Sequence, residues 1–279
     1  AVSIIENFPN NQLSWKVLGS VLKIKGELSR SLEANKKVGE INPDDPDGYN
    51  NLGNTLIKLG RSNEAEESFK RAIAINPDHH EYHCNLGFAY SSSNKFDESI
   101  ISYNKSIALK SDYALSHLNL GASLKAVGKL KEAEESYKKS IVLEPKNTEC
   151  HTFLGLVLRD LGRYKEAETQ YRKSIALNPK NFTAHYHLGI VLFEFRHYKE
   201  AAKHFELANN IGHSKNFALK CFYLLGEKSI FYEQLDNLIA EGAVSPVIGS
   251  LSCRSEIRYG IKRSNPFCND PLKHVLKTD

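Results

Sequence analysis

Apolar positions in this chain fall into two alternating helical stretches. The first is marked by a Leu-Gly pair, the second by a large aromatic between small residues, and a proline usually closes the pair. The pattern then repeats with a period of about 34 residues, as NLGNTLIKLG, NLGFAYSSSN, NLGASLKAVG, FLGLVLRDLG and HLGIVLFEFR. A fixed period of this size predicts a helical solenoid, in which each helix pair buries its apolar face only by stacking on its neighbours. Six units follow from the phase: 12–45, 46–79, 80–113, 114–147, 148–181 and 182–213.

Within each first helix a glycine recurs at one register: Gly19, Gly53, Gly87, Gly121, Gly155 and Gly189. Glycine inside a helix costs about 1 kcal/mol relative to alanine, so its repetition predicts a helix passing too close for a Cβ. The expected neighbour is the small residue of the second helix: Ala65, Ser99, Ala133, Ala167 or Ala201. A second small row lies seven residues on, at Ala72, Ser106, Ser140, Ser174 and Ala208, with Phe69, Tyr103, Tyr137, Tyr171 and Phe205 between the rows. Gly60, Gly128 and Gly162 are placed to end first helices in the left-handed conformation. Pairs such as Glu67 with Arg71, Glu135 with Lys139 and Glu168 with Arg172 suit a solvated face. The third unit has Ser111 where its neighbours have proline, and packing is expected to preserve its geometry.

The flanks read differently. Residues 1–11 resemble the end of a preceding repeat's second helix, closing on Pro9. Residues 214–241 read as a degenerate seventh hairpin turning at Gly226. Residues 242–279 hold a break at Gly242–Ser245, a helix opened by Pro246, and a linker with a helix start at Asp270-Pro271. Together with the absence of methionine, these ends suggest a piece of a longer protein.

The W-x2-L-G-x2-[YL] start, the small–aromatic–small spacing and the closing proline resemble the tetratricopeptide repeat family. The resemblance implies an all-α, right-handed superhelical solenoid of antiparallel helix pairs with a helical C-terminal cap, its first helices lining the concave side. In that family the second, fifth, sixth, ninth, twelfth and thirteenth residues of each unit form the concave wall. Here these places hold Asn50, Asn51, Asn54, Asn85 and Asn119, whose amides both donate to and accept from a peptide backbone. A similar asparagine ladder lines the tetratricopeptide superhelix of O-GlcNAc transferase. Further along the wall turns apolar, with Phe88, Leu115, Leu118, Leu156, Tyr186, Ile190 and Phe193. The alternative use of asparagine here is to bridge neighbouring repeats. A two-carboxylate chaperone clamp is not expected, because Glu81 and Asn85 stand where its third, basic member belongs.

Composition changes this picture little. A formal net charge of +4, from 37 basic and 33 acidic residues, is too mild to mark a polyanion partner. Five cysteines without a CxxC spacing suit free thiols in a reducing, cytoplasmic setting. His83, His117, His151 and His185 form a ladder at the repeat spacing, where Trp15 and Tyr49 stand in the first two units. Metal ligands must converge at about 2.0–2.1 Å from one ion, whereas neighbouring helices lie about 8–10 Å apart. The ladder therefore reads as packing. His79 and His83 lack a third ligand, and the two His-x-Glu occurrences sit in helical repeats. No nucleophile elbow, phosphate loop or dinucleotide fingerprint is present, so no cofactor or metal is expected.

The leading expectation is a non-catalytic interaction scaffold that binds a protein, peptide or helix in its groove, without nucleic-acid or membrane contact. A homodimer or a folded-back tail is the further use of the same wall. The alternative is a substrate-docking arm. The tail from Ile248 resembles linkers that follow such arrays in bacterial proteins carrying a 2-oxoglutarate/Fe(II) oxygenase or sulfotransferase domain; a glycosyltransferase is the other candidate.

Overall fold

The computed structural model describes residues 9–241 and 246–260. Residues 1–8, 242–245 and 261–279, with the expected preceding helix end, the break, and the linker with its Asp270-Pro271 helix start, lie outside the described residues. Those described form helices and turns without strands, in two compact units that divide between Lys146 and Asn147.

The first unit contains α1 (Gln12–Ile24), α2 (Leu28–Ile41), α3 (Pro46–Lys58), α4 (Ser62–Ile75), α5 (His80–Ser92), α6 (Phe96–Leu109), α7 (Ala114–Ala126) and α8 (Leu130–Leu143). Each helix packs on the next, and the first helices α1, α3, α5 and α7 also touch in sequence. The second unit contains α9 (Thr148–Asp160), α10 (Tyr164–Leu177), α11 (Phe182–Glu194), α12 (Tyr198–Leu207), α13 (Ser214–Leu225), α14 (Lys228–Ala240) and α15 (Pro246–Tyr259). Successive packing continues through α13, after which α14 and α15 both lie on α13 and on each other.

Local chemistry explains the boundaries. Asn11 caps α1 by accepting from the Ser14 N–H at 2.9 Å, and Asn181 caps α11 through the Ala184 N–H at 3.1 Å. Pro46 opens α3, where its missing N–H costs nothing. Each turn inside a hairpin closes with the same backbone bond, such as Lys129 N–H to Leu124 O at 2.9 Å. The left-handed residue that this turn needs is Gly26, Gly60, Gly128 or Gly162 in four repeats, but Asn94 and Arg196 in the other two. Asparagine tolerates that conformation; arginine bears its steric cost there.

The close approach at the repeated glycine has a different cause from the one expected. A Cβ on Gly53, Gly87, Gly121, Gly155 or Gly189 would lie 2.5–2.8 Å from the ring of Phe69, Tyr103, Tyr137, Tyr171 or Phe205. The glycine thus faces the aromatic of its own hairpin, not the small residue. In the third repeat the small residues instead meet the following first helix: Ser99 donates to Ser123 at 2.8 Å, and Ser106 lies 2.7 Å from Ser116. Other small residues serve their own hairpin: Ser140 donates to the Ala114 carbonyl at 3.0 Å and Ser174 to that of Thr148 at 2.9 Å. The first repeat departs from this rule, with Asn35 in the ring's place, its amide donating to Thr55 at 2.9 Å.

On the outer face, Glu168 and Arg172 pair at 2.8 Å as the sequence suggests. In α4 the partner of Lys70 is Glu66, at 2.6 Å, while Arg71 stacks over Tyr49.

Gly121→Ala is expected to lower stability by about 1–3 kcal/mol in urea unfolding, since overpacking outweighs the propensity gained. Gly39→Ala, whose Cβ would meet only Tyr49 at 3.7 Å, should be neutral or stabilising by up to about 1 kcal/mol.

Candidate functional site

Three hydrogen bonds fix how neighbouring first helices of the first unit are set, each joining residues 35 apart: Tyr82 OH to Asp47 at 2.5 Å, Asn85 to Asn50 at 2.8 Å, and Asn119 to the Cys84 sulfur at 4.0 Å. The asparagine ladder therefore divides. Asn85 and Asn119 spend their amides on the preceding repeat, and Asn50 is buried as the acceptor of Asn85. Asn51 and Asn54 have no side-chain hydrogen-bond partner among the described residues. Of the apolar wall in this unit, Phe88 and Leu115 are exposed at 44% and 43%, whereas Leu118 is buried in the core.

In the second unit Leu156, Tyr186, Ile190 and Phe193 are half-buried. Phe217 of α13 lies 6.1 Å from Tyr186 and 6.2 Å from Phe193, and Lys220 sits 4.9 Å above the Phe193 ring. Tyr186 and Phe193 thus join one aromatic cluster with Phe217 while staying half-buried.

The histidine ladder has a definite structural use. The Nε2 atoms of His83, His117 and His185 lie 2.7, 2.9 and 3.1 Å from the carbonyls of Pro77, Ser111 and Pro179. Trp15 makes the same bond, donating from Nε1 to Pro9 O at 2.7 Å. A carbonyl only accepts, so each imidazole carries its proton on Nε2; this tautomer follows from the bonding network. The ring clasps the turn that enters its own repeat. Because the acceptor is backbone, Ser111 serves as well as proline.

On the opposite edge of the ring, His151 Nδ1 meets Gln170 Oε1 at 2.9 Å, and His185 Nδ1 meets His204 Nδ1 at 2.8 Å. With His185 donating through Nε2, His204 must donate its Nδ1 proton across this pair. A second proton on His204 can enter only at Nε2, which lies 3.9 Å from Glu200. Burial and then the His185 charge push the His204 pKa down to about 4.

Other reactive groups are withdrawn. Burial pushes the Cys84 thiol up to about 11 and that of Cys221 to about 12, far from a nucleophile's range. No three metal-ligating side chains converge among the described residues. A depression of about 420 Å³ borders Glu206, Asn209, Lys215 and Gln234, with Lys215 already paired to Glu241 at 2.5 Å. Nor is any helix among the described residues long and apolar enough to cross a membrane.

Family models agree with this architecture. Those described as tetratricopeptide repeat match residues 46–79, 80–113 and 118–173, and one described as TPR repeat matches 155–194. The chain is a tetratricopeptide repeat protein. No curated protein matches it. Among solved structures, MamA is similar at 26% identity over 58% of this chain and 95% of its own, with a TM-score of 0.53. PilF of Pseudomonas aeruginosa aligns at 19% identity over 75% of this chain and 97% of its own, with a TM-score of 0.66. YrrB, described as a TPR protein with an unusual peptide-binding site, aligns at 17% identity over 66% and 94%, with a TM-score of 0.52. The last two likenesses concern the fold. The repeats of this chain are those of a protein-interaction scaffold.

One exposed surface lies on the first helix. Leu13, Val17, Val21 and Ile24 form an exposed apolar stripe along α1, at 69%, 45%, 41% and 82% exposure. Leu13, Val17 and Ile24 stand at the second, sixth and thirteenth places of the first unit, so their register was legible in the sequence.

Between pH 6.5 and 4 the unfolded chain binds a proton at His204 that the folded chain refuses, so stability should be full above about pH 6.5 and fall as pH drops. The expected loss is on the order of 2 kcal/mol, partial solvent screening included, seen as a falling Tm. His204→Gln, which copies the His151–Gln170 pair, should flatten that profile.

Proposed function

We propose that this chain is a non-catalytic scaffold that holds an extended peptide across α3, α5 and α7. The observation carrying the reading is the combination of unspent amides at Asn51 and Asn54 with exposed Phe88 and Leu115 in the same unit. The amides would bind peptide backbone, and Phe88 and Leu115 would take apolar side chains. Adjacent first helices about 8–10 Å apart match about three residues of extended chain, so a ligand of roughly eight residues spans the row. Asn85 and Asn119 keep the row in register rather than touching the ligand. The buried free thiols of Cys84, Cys150 and Cys221 favour work in the cytoplasm or another reducing compartment.

Peptides selected from a random ten-residue library provide the test, with affinity measured by calorimetry. Asn51→Ala and Phe88→Ala should each weaken binding by about tenfold, or roughly 1.4 kcal/mol. Asn119→Ala should leave affinity within about twofold. Selected peptides that bind both Asn51→Ala and Phe88→Ala as tightly as the parent would refute the groove.

A further inference from the structure

The depression of about 420 Å³ in the second unit lies where three helix ends meet. Glu206 and Asn209 line it from the end of α12 and the turn after it, Lys215 from the start of α13, and Gln234 and Asn237 from the second half of α14. Helix α12 packs on α13, and α13 on α14. Carrying the 34-residue phase on from residue 182, none of these residues falls on a concave-wall place.

Four of these side chains have unspent hydrogen-bonding capacity. Glu206, Asn209, Gln234 and Asn237 make no side-chain hydrogen bond or ion pair among the described residues. Lys215 is taken by Glu241 of the same lining, at 2.5 Å. Two carboxylates therefore face one ammonium, and the charge of Glu206 is left over. Burial holds its carboxyl above the ordinary pKa, and no neighbouring cation offsets that. The helix ends act in the same direction. Helices α12 and α14 both finish here, and the free carbonyls of a helix C-terminus attract cations. The last turn of α14 has no basic residue to answer them. That of α12 has His204, which with its pKa of about 4 is neutral at pH 7. The start of α13 contributes the opposite sign at one of the three ends.

We propose that this depression binds a guanidinium group, with the Glu206 carboxylate accepting two of its N–H donors side by side and the amide oxygens of Gln234 and Asn237 accepting others. A guanidinium fits better than an ammonium. Its planar fork matches a carboxylate, and its five donors exceed what one carboxylate takes up, so neutral acceptors around it are used. Ala218 and Leu238 offer apolar surface to the methylene stem that carries the group. The volume falls in the lower part of the range of about 300–1,000 Å³ for small-ligand sites, which suits a ligand of arginine's size. An arginine of a protein and a free guanidino compound share this chemistry. The site stands apart from the peptide row of α3, α5 and α7 and does not depend on it.

The test is calorimetry on the full chain with three probes: N-acetyl-arginine amide, its uncharged isostere N-acetyl-citrulline amide, and agmatine. At least one guanidinium probe should bind saturably, with a Kd of about 1 mM or below and about tenfold or more tighter than the citrulline compound. Tighter binding of N-acetyl-arginine amide makes a protein's arginine the source, tighter binding of agmatine makes it a free guanidino amine, and equal binding means that the head group alone is read. Glu206→Gln, at an exposed position, should weaken binding by about tenfold or more with circular dichroism and Tm unchanged. Asn237→Ala should weaken it by about fivefold. Asn51→Ala and Phe88→Ala should leave it intact, which separates this site from the groove. Absence of saturation, a citrulline compound that binds as tightly, or Glu206→Gln that binds like the parent overturns the proposal. The last result would mark adventitious ion pairing at the surface.

Discussion

Each hairpin from the second to the sixth repeat is built on one contact, an aromatic ring laid against a glycine. Phe69, Tyr103, Tyr137, Tyr171 and Phe205 are all essentially buried, and each lies where a Cβ on its glycine would stand. Burying such a ring contributes about 1.5–3 kcal/mol, which outweighs the roughly 1 kcal/mol that glycine costs its helix. The ring sets how close the two helices of a pair come. In the third repeat the small residues Ser99 and Ser106, about a turn away, then meet the next first helix. Repetition of this arrangement gives each unit its succession of pairs. Asn35 in the first repeat replaces the ring by hydrogen bonds to Thr55 and the Asn51 carbonyl, and there apolar burial gives way to polar bonding.

A second constraint acts between repeats. Trp15, His83, His117 and His185 close the incoming turn with a ring N–H to a backbone carbonyl. Such a bond requires an aromatic ring with a donor at its tip, which both tryptophan and histidine provide. That explains why histidines recur without any metal to bind. At His185 the other ring edge meets the titratable ring of His204, so the sixth repeat contributes an acid-sensitive pair.

These packing duties decide what is left for recognition. Residues on one helical row divide between bridging and display. Asn85 and Asn119 bridge, whereas Asn51 and Asn54 are available; Leu118 is core, whereas Phe88 and Leu115 are open. In the second unit, Phe217 of α13 packs beside Tyr186 and Phe193. The open surface of the first unit is therefore a short polar row with separate apolar points.

The repeat, the helix pairs and the glycine-to-aromatic spacing were legible in the sequence alone, because each is a local regularity copied many times. The left-handed turn positions were legible at Gly60, Gly128 and Gly162, where glycine marked them; Gly26 holds the same place in the first repeat. Asn94 and Arg196 carried no such mark and are left-handed because the helices on either side require it. The partner of the repeated glycine was not legible, because periodicity shows that something is close without showing which side chain fills the space. The fate of each groove residue was hidden for the same reason. Asn51 and Asn85 share a register and a residue type, yet one is free and the other is bound to Asn50, since that depends on the side chain facing it from the neighbouring helix. Sequence determined the unit and its period; tertiary contact alone decided which surface residues remain unspent.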